Sequence, residues 1–249
     1  MAVCEMHFAS NTLQKSVSAT IIVPENIPGP WPVLYLLHGL SDDHTGWLRR
    51  TSIDQYVRDL PLMVVMPNAE RSWYTDAIDN PLAAFETYMI KDVVGFVDAA
   101  FHTRQERASR AIAGLSMGGY GAFKLAIRHN DMFCAAASLS GAFLINPVLD
   151  GFEDRQREMR LIFGESFTGG AEDVFALVEN ADKEKLPALW MHCGDNDFLI
   201  QANRDMRAHL ESLGIPHSYY EAPGEHTWEY WDRHIIDALG FIKEKLLIS

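Results

Sequence analysis

Cysteine is scarce in this 249-residue chain, with Cys4, Cys134 and Cys193 making up the whole complement. They form no CxxC pair and are too few for a disulfide framework, so reduced thiols in a cytoplasmic setting are expected. Long apolar stretches are missing too. The longest nearly apolar run, Cys134 to Ile145, is too short for a bilayer and contains Ser138 and Ser140. The start, Met1 to Phe8, has neither a basic cluster nor a continuous apolar segment, so no signal peptide is expected. Positive charge is in deficit: 21 Lys and Arg face 34 Asp and Glu, for a net charge of −13. Such a surface repels phosphate backbones and anionic membranes, which argues against nucleic acid or membrane as partners. There is no HExxH, no GxGxxG after a strand and no GxxxxGK[ST], and Asp195-Asn196-Asp197 lacks the rest of a calcium loop. The expectation is no metal and no cofactor.

The composition that remains is that of a folded protein. Hydrophobic residues at 48% and charged residues at 22% leave enough apolar surface for a full core. No repeat, linker or charge block divides the chain, so residues 1–249 are expected to form one domain. Short apolar runs alternate with longer amphipathic ones. Val33 to Leu37, Leu62 to Met66, Ala111 to Ala113, Ala135 to Leu139 and Leu189 to Met191 read as strands buried on both faces of a parallel sheet. Cys4 to Phe8 and Ser16 to Val23 alternate more and predict an antiparallel edge; His217 to Glu221 supplies a last strand. The helical patterns are Pro81 to Ala100, Met117 to Arg128, Ile200 to Leu213 and Tyr230 to Leu246. In the first, Phe85, Met89, Val93, Phe96, Val97 and Ala100 make one stripe. Strand and helix alternation predicts an α/β fold, a mostly parallel twisted sheet of about eight strands covered on both faces. Residues 141–187 interrupt the alternation and predict a small cap over the carboxyl edge of the sheet.

Gly114-Leu115-Ser116-Met117-Gly118 matches G-x-S-x-G, after an apolar strand and at the opening of a helix. So tight a turn requires nearly bare residues two before and two after the serine, and Gly114 and Gly118 meet that need. The turn sets the Ser116 hydroxyl at a helix N-terminus, where amides and the helix dipole favour negative charge. A serine hydroxyl needs a base, and the base an orienting carboxylate, in the chain order Ser, Asp or Glu, His. Of the ten histidines, His226 stands out, in the Gly-containing loop between the last strand and the last helix. His7, His44, His102, His129 and His209 read as surface or loop residues, His217 as a strand start, His234 as part of a polar helix face, and His192 as a core residue. The acid is Asp195 or Asp197, both just past the Gly194 turn. The loop His38-Gly39-Leu40 brings a second oxyanion donor: Gly39 allows close approach, so the Leu40 N–H points inward beside the Met117 N–H, while His38 holds the loop. Trp47, Trp73, Tyr74, Phe143, Phe198 and Trp228 lie in loops that line a pocket suited to short acyl chains or aromatic esters, about half of them doubling as core aromatics.

Together these segments resemble the esterase D-like carboxylesterases of the α/β-hydrolase fold, which include small bacterial acyl esterases and S-formylglutathione hydrolases. The resemblance rests on Leu37-His38-Gly39-Leu40 with Trp47-Leu48, Ser72 to Asp76, Gly114 to Gly121, Cys193 to Leu199 and His226 to Trp231, in order along nearly the whole chain. It implies Asp197 as the acid, His226 as the base, and the Leu40 and Met117 amides as oxyanion donors. The implied activity is serine carboxylesterase action on small acyl or aryl esters. A glutathione thioesterase and a carbohydrate acetyl or feruloyl esterase are the alternatives. A small-molecule ester is the implied partner, and self-association as a dimer or tetramer is implied by the resemblance alone.

Overall fold

A computed structural model describes residues 1–143, 153–165 and 167–248 of the chain. Its strands are β1 (Ala2–Ser10), β2 (Lys15–Val23), β3 (Val33–Leu37), β4 (Met63–Pro67), β5 (Arg110–Leu115), β6 (Ala135–Leu139), β7 (Ala188–Gly194) and β8 (His217–Ala222). They form one eight-stranded sheet in the order β1-β2-β4-β3-β5-β6-β7-β8. β1 pairs antiparallel with β2, and β2 with β4; every later pairing is parallel. The helices are α1 (Gly46–Arg50), α2 (Ile53–Tyr56), α3 (Phe85–Thr87), α4 (Val94–Ala100), α5 (Met117–Arg128), α6 (Glu153–Phe163), α7 (Val174–Asn180), α8 (Ile200–Ser212) and α9 (Trp228–Leu246).

All residues of β3 through β6 are buried, which explains their unbroken apolar runs. Side chains alternate across a strand, so parity divides each run between two cores. Val33, Tyr35 and Leu37 pack with Tyr120, Phe123 and Ile127 of α5 and with Met206 and Leu210 of α8. Leu34 and Leu36 join Ala111, Ala113, Ala135 and Ala137 under Trp231, Ile235, Leu239 and Ile242 of α9. The alanine-rich face of β5 and β6 makes room for this long helix.

The stretch Pro81 to Ala100 departs from the single helix its periodicity predicts. A 3₁₀ turn covers Pro81–Ala83, with the Asn80 side chain accepting from Leu82 N, and a π-helical turn covers Tyr88–Val93 between α3 and α4. The wide turn holds an extra residue and rotates the face that follows. Phe85, Met89, Val93 and Val97 are buried as expected, and Tyr88 and Val94 join them. Ala100 is turned out to solvent, and Phe96 is half-buried, stacked on Phe8 at 4.2 Å. Of the expected cap, 144–152 and 166 lie outside the described residues; the rest includes α6 and α7. Arg71 ties α6 down, its guanidinium donating to both Glu158 carboxylate oxygens at 2.5 and 2.7 Å and to Ser41 Oγ at 2.6 Å. Among the described residues no helix is long and apolar enough to cross a membrane.

Candidate active site

Ser116 stands between β5 and α5 with φ 53° and ψ −117°, a strained turn for a residue with a side chain. The glycines around it are demanded by contact. A Cβ on Gly114 would lie 2.4 Å from the Gly118 carbonyl carbon and oxygen, and one on Gly118 would lie 2.5 Å from Leu37 O and 2.7 Å from His38 O. A Cβ on Gly39 would meet Leu115 Cδ1 at 2.6 Å and Ser116 Cβ at 3.6 Å. The loop after β3 therefore lies directly against the serine turn.

Two further loops converge there, after β7 and β8. His226 places Nε2 3.1 Å from Ser116 Oγ, and Nδ1 2.8 and 3.0 Å from the two carboxylate oxygens of Asp197. With a carboxylate on Nδ1, that nitrogen carries the proton and Nε2 accepts from the serine hydroxyl. Leu199 N–H donates to Asp197 Oδ1 at 2.8 Å. Burial pushes the Asp197 carboxyl up, but the His226 hydrogen bond and charge, the Leu199 amide and the Ser140 hydroxyl outweigh it and hold the carboxyl below its ordinary value. The carboxylate is wholly enclosed, at 0% side-chain exposure. Asp195 does something else: its carboxylate accepts from Gly224 N at 3.2 Å, while its own N–H donates to Ala222 O at 2.9 Å. It splices the two loops together. They meet so closely that a Cβ on Gly194 would lie 2.3 Å from Gly224 O.

On the opposite side, His38 Nδ1–H donates to Gly39 O at 2.8 Å, and Nε2 accepts from Ala69 N at 3.0 Å. Burial lowers its pKa and keeps the ring neutral, as this pair of bonds requires. Tyr74 OH donates to His38 O at 2.9 Å. Met117 N–H lies in the first turn of α5, where no intrahelical acceptor exists. The Leu40 N–H also has no acceptor among the described residues. The six aromatics expected to line a pocket divide. Tyr74 and Phe143 are 0% exposed and Trp47 is 1% exposed, so no ligand touches them from solvent. Trp47 Nε1 donates to Leu37 O at 3.0 Å, and Phe143 packs on Phe123 at 5.0 Å; these three shape the site from behind. Trp73 is nearly buried against Tyr120 and Phe163. Phe198 is 76% exposed, its ring 4.4 Å from that of His226, and half-buried Trp228 stands edge-on to Trp47.

Several polar residues near the site are not singled out by local sequence. Ser140, one residue past β6, receives the Trp231 indole N–H at 3.1 Å. Lys124 of α5 is completely buried, donating to Thr75 Oγ1 and Glu172 Oε2, each at 2.7 Å, and lying 3.0 Å from Glu86. His234, expected on a polar helix face, instead stacks on His192 at 4.1 Å, because α9 lays that face on β7. Burial lowers the His192 pKa to about 4, and Tyr230 OH lies 2.6 Å from its Nδ1. The signal for these pairings is the packing of helices against strands and loops distant in sequence, which short motifs do not carry.

Eight strands in this order, with a serine on a tight strand-to-helix turn, define an α/β-hydrolase, and the chain belongs with the serine hydrolases of that fold. More narrowly, it belongs to the esterase family, whose family model matches residues 10–242. An acetyl esterase of Caldicellulosiruptor saccharolyticus is 30% identical over 98% of this chain and 99% of its own. The substrate-bound fluorophosphonate-binding serine hydrolase F of Staphylococcus aureus superposes with a TM-score of 0.89 at 32% identity, covering 96% of this chain and 97% of that one. An S-formylglutathione hydrolase from the same organism gives a TM-score of 0.87 at 32% identity, covering 96% of this chain and 98% of that one. The protein is a carboxylic ester hydrolase.

Proposed function

We propose that Ser116, His226 and Asp197 act as nucleophile, base and acid on small acyl or aryl esters, by way of an acyl-enzyme. The observation that carries this reading is the unbroken hydrogen-bond series from Ser116 Oγ to His226 at 3.1 Å and on to Asp197 at 2.8 Å. His226 takes the hydroxyl proton as Ser116 attacks the ester carbonyl. The Leu40 and Met117 amides receive the oxyanion, each worth about 3 kcal/mol in sites of this kind. Asp197 fixes the imidazole tautomer and stabilises the imidazolium. The alcohol departs with the proton from His226, and water then enters by the same steps to release the acid. Phe198 over His226, with Trp73 and Trp228, forms the apolar wall for a short acyl or aromatic group. We read residues 1–249 as one domain acting in the cytoplasm, consistent with unpaired Cys4, Cys134 and Cys193.

Ser116→Ala is the test. It removes turnover of p-nitrophenyl acetate and labelling by a fluorophosphonate probe, while circular dichroism stays that of the folded enzyme; a labelled, active variant would end the proposal. The name borne by the second Staphylococcus structure gives a second reading, thioester hydrolysis of S-formylglutathione. Comparing kcat/KM for S-formylglutathione and p-nitrophenyl acetate, then for acetylated sugars and feruloyl esters, separates the readings.

A further inference from the structure

Two histidines outside the triad meet where α9 lies on β7. The His234 ring of α9 stacks on the His192 ring of β7, with centroids 4.1 Å apart and planes 25° from parallel. Residues about one turn to either side along α9 hold the two imidazoles. Asp237 Oδ2 lies 2.9 Å from His234 Nδ1, and Tyr230 OH lies 2.6 Å from His192 Nδ1. A carboxylate only accepts, so His234 Nδ1 carries the proton and Nε2 of the neutral ring presents a bare lone pair. That Nε2 is buried and has no hydrogen-bond partner. An unmatched buried acceptor costs free energy. His192 makes its hydrogen bond through Nδ1 alone among the described residues.

The leftover nitrogens and the carboxylate are the donor set of a metal site. One donor atom from each of His192, His234 and Asp237 lies within 4.8 Å of the other two. Two imidazole nitrogens on one zinc sit roughly 3.3 Å apart, given bonds of about 2.0 Å, so small tilts of the rings close on an ion. An ion on the Nε2 side leaves each Nδ1–H facing an oxygen, Asp237 for His234 and Tyr230 for His192. That is the outer arrangement that fixes the tautomer of a metal-bound histidine, and a hydroxyl accepts as readily as it donates. The pair also has an approach. A cavity of about 550 Å³ reaches His192 and Asp237, and its wall includes Ser218, Tyr220 and Glu244. It has room for water at the remaining ligand positions, and its two carboxylates draw cations in. Imidazole ligands suit zinc, copper and nickel, whereas magnesium and calcium want oxygen.

We propose that His192 and His234 bind a divalent transition-metal ion such as zinc, with Asp237 and Tyr230 orienting the two rings from outside. The ligands come from a strand and a helix distant in sequence, so no short motif marks the site. The inference is independent of the triad reading. An ion there pins α9 to β7 and stabilises the chain by binding its folded state alone.

Calorimetric titration of the metal-stripped protein with zinc chloride tests it. One equivalent binds at this site, the melting midpoint rises by several degrees with zinc in excess, and magnesium chloride does neither. X-ray absorption at the zinc edge shows two imidazole nitrogens about 2.0 Å from the metal. The equivalent and the midpoint shift are lost in His234→Gln and kept in His226→Ala. Asp237→Asn, at an exposed position, keeps the fold and weakens zinc roughly 10-fold to 100-fold, so the outcome does not hang on how well His234→Gln folds. Zinc that binds His234→Gln and Asp237→Asn as tightly as wild type lies elsewhere, at His226 or a cysteine, and overturns the proposal. Absence of binding overturns it too, as does an equal midpoint rise with magnesium. An active Ser116→Ala would end the triad reading and leave the zinc titration unchanged.

Discussion

A single methyl group at Gly118 would press on Leu37 O at 2.5 Å and His38 O at 2.7 Å, and both are backbone atoms. Neither can retreat without moving the His38-Gly39 loop that lies against the serine turn. Gly118→Ala is therefore expected to cost about 1–3 kcal/mol of stability by overpacking and to lower kcat more than tenfold; thermal melts and steady-state kinetics on p-nitrophenyl acetate check both. The two acidic candidates make a sharper contrast. Asp197→Asn offers His226 an amide in place of a carboxylate, upsets the tautomer, and is expected to drop kcat by about 10⁴. Asp195→Asn keeps an acceptor for Gly224 N–H and stays within a few-fold of wild type. Local sequence does not separate these residues, since both follow the same glycine turn; a single hydrogen-bonding distance does. The elbow glycines are legible because the constraint on them is local. Ser140 is not, because its contact with Trp231 forms one row past β6, between residues distant in sequence.

Among the elements, α5 is held by more than its apolar face. Buried Lys124 and half-buried Arg128 reach Glu86 and Glu172, and His129 Nε2 lies 2.8 Å from Glu86 Oε1. Burial raises the Glu86 carboxyl, but His129, Lys124 and Arg128 overcome this and bring it from 4.5 down to about 2. The folded protein thus binds this proton less readily than the unfolded chain does. Stability supplied by Glu86 is complete above pH 4.5 and drains away as the pH falls toward about 2. Glu86→Gln leaves Lys124 short of an anion, is expected to destabilise by about 3–5 kcal/mol at pH 7, and flattens the melting temperature against pH in the acid range. Parity and period made most elements readable: β3, β6 and α5 begin and end where the residue pattern places them. The stretch holding Glu86 was readable as helical, but a π turn adds one residue to a repeat and leaves no mark in composition.

At the scale of the whole molecule, the apolar runs announce a parallel sheet but not its order. The runs are alike in chemistry, so nothing in them says that β4 lies outside β3 or that β8 closes the far side. That order has a consequence for how the enzyme fails on heating. Ser116 leaves β5, which is clasped by neighbours on both sides, whereas His226 follows β8, which among the described residues pairs with β7 alone and has no fully buried residue. Cooperative units near an open rim unfasten at lower free energy than the centre. Heating is expected to silence the enzyme several degrees before its ellipticity collapses, with amides of 217–222 exchanging sooner than those of 110–115. Coincident loss of activity and ellipticity would refute that order. The hydrolase would then tire by misplacing His226 long before Ser116 is displaced, and cooling from that interval would restore it in full.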